Sequence, residues 1–216
     1  PKIPSFCKPI AFAISLDGNS RNGGAALVTP GTYKASLYLE KDGQLTRLDG
    51  PLSFEVKPIR SGVLKGVSYQ DYNAFRMELT HFVKEVNAMQ DRFTLSKKMH
   101  AAFETALARS NAVPGSLEPQ LAQMKEKIAH IETMLNGSPS REEIGERNPS
   151  GVQGFLYNAF NGMENSYGPT AIHKKSLATA KSLYAKTLIE VNQLSNMIPK
   201  ISEALNDAGA PYIQKQ

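Results

Sequence analysis

The side chains best suited to metal binding or acid–base chemistry are four histidines spread along the chain. They are His81, His100, His130 and His173. None belongs to a His-Glu-x-x-His motif, whose spacing puts two imidazoles on one helix face to hold zinc. His81 stands four residues before Glu85, a spacing that on a helix brings the two side chains into a surface contact. The histidines therefore predict no metal site.

The chain has one cysteine, Cys7. A single thiol cannot form an internal disulfide, so it does not indicate the redox compartment. A nucleophilic cysteine needs an activating neighbour such as histidine, and no histidine stands near Cys7 in the sequence. We interpret Cys7 as a buried or incidental residue.

A polar stretch, residues 138–151, carries a cluster of carboxylates. They are Glu142, Glu143 and Glu146. Paired carboxylates can do acid–base work when burial raises the pKa of one of them. Because Arg141 and Arg147 flank the cluster, we first interpret it as a solvated loop. The alternative is a loop that completes an active site together with other parts of a longer protein.

Motifs of the common catalytic and cofactor sites do not occur in the sequence. There is no Gly-x-Ser-x-Gly elbow, no phosphate-binding loop and no dinucleotide glycine fingerprint. We therefore name no catalytic residue, no metal ligand and no cofactor. The sequence favours a protein that is not an enzyme.

The net charge of +5 is concentrated in the first part of the chain. Residues 1–66 hold nine basic and five acidic side chains, whereas residues 67–216 hold sixteen and fifteen. A nucleic-acid surface needs a basic stripe, so we expect no nucleic-acid partner. No stretch approaches the roughly 18 uninterrupted apolar residues of a membrane span, so we expect none.

The first 60 residues have the pattern of a β-sheet. Tyr33–Leu39 alternates apolar and polar residues, which predicts a strand with one apolar face. Asp42-Gly43 predicts a tight hairpin, and Asp49-Gly50-Pro51 predicts a further turn. Pro9–Leu16 predicts a buried strand. The strands are too few for a complete sandwich of about seven.

We therefore predict an α+β protein whose residues 1–60 form the end of an immunoglobulin-like β-sandwich. The rest of the sandwich would lie upstream. The chain opens on proline rather than methionine, and we interpret this as a natural start further upstream.

Residues 67–213 have a helical pattern. Apolar residues from Tyr72 to Phe93 fall at alternating intervals of three and four, which is a heptad seam. Its phase slips near residue 94, and Leu95, Met99, Ala102 and Ala106 restart it. The predicted helices cover 69–110, 116–136, 152–163 and 169–208. The first and last would each be about 60 Å long. Since the two middle helices are shorter, we predict an elongated antiparallel bundle with three legs.

An aromatic segment follows the polar loop and is less regular than the seams. Its aromatic residues are Phe155, Tyr157, Phe160 and Tyr167. Tyrosine and phenylalanine are favoured in interfaces, so these residues are the candidate partner contact. The other interpretation is that they fill the broken middle leg of the bundle.

Several segments resemble one known family. They are "PGTYKASLYLEKDGQLTRLDGPLSFEVKPI", "IETMLNGSPSR", "NPSGVQGFLYNAF", "SYGPTAIHKKSLATAKSLY" and "LNDAGAPY". Over roughly residues 26–213 the chain resembles the C-terminal region of large secreted bacterial proteins with sortilin-like, BNR-repeat β-propellers. These proteins occur notably among Bacteroidetes and are often labelled glycosyl hydrolases.

The resemblance implies that propellers lie upstream and carry any ligand or catalytic site. It implies an exported protein that is periplasmic, associated with the outer membrane or extracellular. We accordingly expect a non-catalytic structural or interaction module that acts as a spacer or docking arm. The alternatives are a fragment that contributes a loop to a glycoside hydrolase or peptidase site, and a subunit of a larger envelope assembly.

Overall fold

The computed structural model describes residues 29–57, 65–163 and 167–211. Within these residues the protein is mixed α+β, with a two-stranded antiparallel sheet and a helical part, and 63 % of them are helical. The chain divides into two compact units, Pro1–Val63 and Leu64–Gln216. The predictions for Cys7 and for the segment 9–16 lie outside the described residues.

The first unit contains a β-hairpin, formed by β1 (Gly31–Lys41) and β2 (Gln44–Val56). Asp42 and Gly43 lie at its turn, with φ angles of 51° and 74°. A two-residue turn with positive φ at both positions follows the twist of the strands. The hairpin predicted from Asp42-Gly43 is therefore confirmed.

The turn predicted at residues 49–51 is wrong, because β2 continues through them. The strand register shifts between Ala35 and Leu37 and again between Leu37 and Tyr38, so β2 takes up extra residues as bulges. Gly50 has a φ of 89°, and a Cβ atom there would lie 2.6 Å from the Ala35 carbonyl oxygen. Glycine serves here to let two backbones approach at a bulge rather than to reverse the chain.

The second unit is built from helices. In the described residues they are α1 (Tyr69–Leu107), α2 (Glu118–Asn136), α3 (Pro139–Glu143), α4 (Val152–Asn161) and α5 (Ala171–Asp207). The four predicted helices correspond to α1, α2, α4 and α5, with ends that differ by a few residues. The short α3 occupies part of the predicted polar loop.

The start of α1 shows why the chain becomes helical at this point. Ser68 Oγ accepts the backbone N–H of Asp71 at 3.0 Å and donates to Asp71 Oδ2 at 2.7 Å. The hydroxyl thereby satisfies one of the N–H groups that a helix leaves unpaired in its first turn. The cap predicted from the spacing of Ser68 and Asp71 is confirmed.

A buried apolar seam runs along α1. Up to residue 93 it follows the predicted pattern through Phe75, Leu79, Phe82, Val86, Met89 and Phe93. Beyond residue 93, Ser96, His100 and Phe103 are buried and continue the same phase, while Leu95 is exposed. The predicted phase slip is therefore wrong, although Met99 and Ala106 are buried as predicted. Ser96 donates its hydroxyl to the Arg92 carbonyl oxygen at 3.0 Å. With its polar group bonded inside the helix, a small serine can replace an apolar residue on the buried side.

Side-chain contacts fix the directions of the helices. Glu78 of α1 pairs with Lys181 of α5, and further along Arg92 bonds to Asn192. Residue numbers rise together along both helices, so α1 and α5 run in the same direction. Asn158 of α4 bonds to Ser176, and Gly162 after α4 packs against the ring of His173, so α4 runs opposite to α5.

Ion pairs connect the long helices. Among the described residues, Lys97–Glu132 joins α1 to α2, Lys127–Glu190 joins α2 to α5, and Lys181–Glu78 joins α5 to α1. Each connection holds two helices in one register. Ion pairs of this exposure contribute little to the free energy of unfolding. We therefore attribute the stability of the helical unit to its apolar core, and the alignment of neighbouring helices along their axes to the ion pairs.

Candidate functional site

The predicted contact residues on and after α4 differ in exposure to solvent. Tyr157 is 70 % exposed, Phe160 48 % and Tyr167 43 %, whereas Phe155 is partly buried and packs against the core. Rings that only filled the broken middle leg of the bundle would be buried, so these three do not have that role. We call Tyr157, Phe160 and Tyr167 the aromatic surface.

The helix that carries most of this surface is firmly seated. Its opposite side buries Val152, Leu156 and Ala159, at the spacing of a helix face that packs against a core. Asn158 Nδ2 donates to Ser176 Oγ at 2.7 Å, which ties α4 to α5. The exposed rings of α4 therefore project from a fixed support.

The chain beyond α4 is held by the start of α1. Tyr72 Oη donates to the Met163 carbonyl oxygen at 3.0 Å, and the Val67 N–H donates to the Tyr167 carbonyl oxygen at 2.9 Å. A Cβ atom on Gly168 would lie 2.3 Å from Val67 Cγ2, so only glycine permits this approach. These contacts place Tyr167 at the same end of the unit as the start of α1.

Two exposed apolar residues near the aromatic surface were not predicted. Tyr69 opens α1 and Ile172 lies in the first turn of α5, and both are exposed. Nothing in their sequence positions separates them from core residues, since Tyr69 sits three residues before the seam residue Tyr72. Only the packed structure shows that their side chains remain in solvent.

The carboxylates of the polar loop form no enclosed site in the described structure. Glu143 and Glu146 are exposed, as are Arg141 and Arg147; the side chain of Glu142 lies outside the description. The loop is closed by Asn148, whose Oδ1 accepts the Ser138 N–H at 2.7 Å. The exposed setting matches the solvated interpretation of the sequence.

The histidines have separate structural surroundings. His100 is buried, with Nε2 3.1 Å from the Leu121 carbonyl oxygen. His81 lies 3.4 Å from Glu85, and His173 Nδ1 accepts the Thr170 N–H at 3.1 Å. His130 is exposed on α2. Within the described ranges, no group of three or more histidine, cysteine, aspartate or glutamate residues could hold a metal ion.

A groove of about 380 Å³ lies between α1 and α5. Its lining residues are Glu78, His81, Phe82, Glu85, Lys181 and Tyr184. The rings of Phe82 and Tyr184 meet edge to face at 5.4 Å and form the apolar floor. Partial burial, and then the negative charge of Glu85, raise the pKa of Tyr184 above its ordinary value.

The polar groups of the groove largely satisfy one another. Lys181 Nζ lies 2.6 Å from Glu78 Oε1 and 5.9 Å from the centre of the Phe82 ring. The sequence indicated only the His81–Glu85 pair, because Lys181 and Tyr184 lie about a hundred positions away. Lys181 pairs with Glu78 across the two helices, and His81 pairs with Glu85 along α1. The charged side chains of the groove therefore already have partners within it.

Comparison with protein-family models, with curated proteins and with solved structures found no match to this chain. A separate finding concerns membranes. None of the helices in the described residues has both the length and the apolar character needed to cross a bilayer.

Proposed function

We propose that this chain is a non-catalytic structural and interaction module that acts as a spacer or docking arm. The observation that carries the proposal is the aromatic surface, in which Tyr157, Phe160 and Tyr167 are exposed at the end of a firmly packed helical unit. Exposed aromatic side chains on a rigid support can bind a partner without first becoming ordered, which lowers the entropy lost on binding.

The long helices suit a spacer. α1 has 39 residues and α5 has 37, which correspond to about 55–60 Å at 1.5 Å per residue. Their parallel course, with α4 antiparallel beside α5, supports the interpretation that the unit is an elongated antiparallel bundle with three legs. Large apolar side chains of the hairpin, among them Leu37 and Leu52, are exposed, which supports its assignment as the end of an immunoglobulin-like sandwich.

The proposed setting is the cell envelope. This location is supported by the segments that resemble the C-terminal region of sortilin-like, BNR-repeat β-propeller proteins. The resemblance implies an exported protein with upstream propellers. The partner would then be a protein of the envelope or the propellers themselves.

The test is quantitative capture of proteins from an envelope fraction by the immobilised chain. The variant Tyr157→Ser with Phe160→Ser removes two rings of the aromatic surface. Met77→Ser is the matched control, because Met77 is 68 % exposed on α1. The proposal expects one protein to be retained by the parent chain and the control and lost from the double variant.

Two outcomes would reject this proposal. One is retention of the same proteins by all three chains, which would mean that the aromatic surface is not the contact. The other is turnover of glycans or peptides by the isolated chain. If the protein lost from the double variant belongs to a stable multi-subunit complex, the chain is a subunit of an envelope assembly.

The alternative function is a loop that completes a glycoside hydrolase or peptidase site with upstream propellers. Glu143 and Glu146 are exposed in the described structure, so this function would need an upstream domain to bury them and raise the pKa of one of them. Replacing Glu142, Glu143 and Glu146 by glutamine in the full-length protein tests it. Loss of turnover by more than about a hundredfold is expected for an acid–base residue, and unchanged turnover rejects it.

A further inference from the structure

Tyr157 and Phe160 form one exposed stripe on α4. They are three residues apart, a spacing that puts two side chains on the same side of a helix, and both are exposed, whereas the core side of α4 is buried. The sequence of α4 contains no charged residue. Any charge beside the stripe must therefore come from a neighbouring helix.

The neighbouring helix α5 borders this stripe with the side that carries Ile172. Ser176 accepts a hydrogen bond from α4, and Glu190, two heptads later, pairs with Lys127 of α2, so one side of α5 faces both helices. Lys127 also bonds to Gln193, which stands three heptads after Ile172. Ile172 therefore lies on the side of α5 next to α4, and it is 68 % exposed.

Lys175 brings a positive charge to the same surface. It follows Ile172 by three residues and is exposed on α5. Gly162, after α4, packs against the ring of His173. Because α4 and α5 are antiparallel, Phe160 and Lys175, each two residues from this contact, lie at the same level. We call four residues the α4–α5 face: Tyr157, Phe160, Ile172 and Lys175.

The charge around the α4–α5 face is positive. Over residues 152–189 the sequence has four lysines and one carboxylate, Glu164, which together give +3. One of the lysines, Lys181, pairs with a carboxylate of α1. The other three have no ion-pair partner within the part of the chain that the structure describes; they are Lys174, Lys175 and Lys186. Uncompensated charge beside an apolar surface favours a partner of opposite charge.

Charge also separates the possible occupants of the face. Two copies of the chain that met here about a twofold axis would bring the same lysines together, and like charges oppose such a contact. Recognition of an anionic bilayer uses clusters of about four to eight basic residues, more than the three unpaired lysines. A protein segment with apolar and acidic side chains complements both the rings and the charge.

We propose that the α4–α5 face binds an acidic amphipathic helix of a partner protein. The apolar residues of that helix pack on Tyr157, Phe160 and Ile172, and its carboxylates pair with Lys175. A helix fits because the face is the outer side of two antiparallel helices, on which apolar residues spaced three and four apart can pack. The inference rests on the proposed function, since it specifies the chemistry of the partner that the aromatic surface binds.

Selection from a random peptide library tests this chemistry. Peptides of about 16 residues, four to five helical turns, are retained on the intact chain and counter-selected on the Tyr157→Ser, Phe160→Ser double variant. Peptides specific to the parent chain are expected to be at least about twofold richer in Asp and Glu than the library, with apolar residues at intervals of three and four. No specific peptides, no charge bias, or a bias toward Lys and Arg overturns the proposal.

The role of Lys175 is measured with the tightest of these peptides at about 0.1 M salt. Lys175→Glu is expected to weaken its binding at least about fivefold, because an attractive contact becomes a repulsive one. Lys98→Glu makes the same charge change at an exposed position on α1. It lies roughly 30 Å further along the bundle, beyond the Debye length, and should change binding less than about twofold. Equal effects of the two variants overturn the pairing with Lys175.

Two results would assign the face to another occupant and overturn the proposal. One is co-sedimentation of the parent chain with phosphatidylglycerol vesicles that is lost in the double variant. The other is a dimer of the parent chain, seen by sedimentation velocity, that is lost in the same variant.

The proposed function and this inference fail in different measurements. The proposed function fails when capture from the envelope fraction is the same for the parent chain and the double variant. Capture that requires the two rings but is unchanged in Lys175→Glu, with no acidic bias among the selected peptides, keeps the proposed function and rejects the acidic helix as the partner.

Discussion

Lys181 of α5 contacts α1 in two ways, since its ammonium group lies 2.6 Å from Glu78 Oε1 and 5.9 Å from the centre of the Phe82 ring. The carboxylate supplies charge and the ring supplies a negative π face. Because the two side chains of the ion pair are about half exposed, solvent weakens the attraction. The pair therefore holds the two parallel helices in register more than it holds them together.

Glu78→Gln should lower the free energy of unfolding by less than about 1 kcal/mol, the usual range for an exposed ion pair. The effect should shrink further at about 1 M salt, where screening is nearly complete. Urea unfolding at low and high salt measures both quantities. Glu126→Gln, at an exposed position on α2, is the control, and a loss above about 2 kcal/mol in Glu78→Gln would contradict the assignment.

Phe103→Ala should be among the most destabilising single substitutions in the helical unit. Its side chain is fully buried on α1, and removing such a ring leaves a cavity that costs about 3–5 kcal/mol. Met77→Ala on the exposed side of the same helix should change stability by less than about 0.5 kcal/mol. Denaturant midpoints followed by circular dichroism compare the two; similar midpoints would mean that the α1 seam is not the core.

Gly151→Ala should destabilise the protein although the φ angle at Gly151 is an ordinary −81°. A Cβ atom there would lie 2.4 Å from the Leu135 carbonyl oxygen, and the obstructing atom is backbone, which cannot rotate away. Overpacking of this kind costs about 1–3 kcal/mol. Thermal unfolding measures it, with Ser150→Ala as the control at the adjacent exposed position. An unchanged midpoint in Gly151→Ala would show that the start of α4 can shift.

Alkaline pH should destabilise the protein through Tyr184. Partial burial and Glu85 raise the pKa of this tyrosine above its ordinary value of 10.0, so the folded state holds the proton more tightly than the unfolded state. The stabilisation is fully present below pH 10.0 and is lost as the pH rises through the higher folded-state pKa.

Tyr184→Phe cannot ionise, so its stability should fall less than that of the parent between about pH 9 and pH 11. Denaturant unfolding at the two pH values measures the difference. Tyr157→Phe, at an exposed position on α4, is the control and should follow the parent. If Tyr184→Phe also follows the parent, the tyrosine does not contribute to the alkaline transition.

The local signals of the sequence predicted the elements well. Asp42-Gly43 indicated the hairpin because a tight turn needs residues that tolerate positive φ, and Ser68 with Asp71 indicated the start of α1 because a helix leaves its first N–H groups unpaired. Both depend on neighbours within four residues. The seam of α1 was readable for the same reason, since its period is a property of the helix itself.

Errors arose where distant contacts overrode local patterns. Asp49-Gly50-Pro51 has the composition of a turn, yet the carbonyl oxygen of Ala35 stands so close to Gly50 that the glycine serves a bulge. Leu95 has the hydrophobicity of a core residue, yet Ser96 is buried instead. At Gly50 the neighbour is the backbone of the other strand, and at Ser96 it is α5, where Ser195 Oγ lies 3.5 Å from Ser96 Oγ.

The candidate site was also predictable from the sequence only in part. The sequence identified the segment as a candidate partner contact from four aromatic residues, Phe155, Tyr157, Phe160 and Tyr167. Which rings are exposed depends on how α4 is turned against α5 and on the bond between Asn158 and Ser176. The sequence alone determined the α+β class, the α1 seam up to residue 93 and the hairpin, because these follow from short-range backbone chemistry. The tertiary structure alone decided which aromatic rings and which carboxylates meet solvent, because exposure depends on packing between helices far apart in the chain.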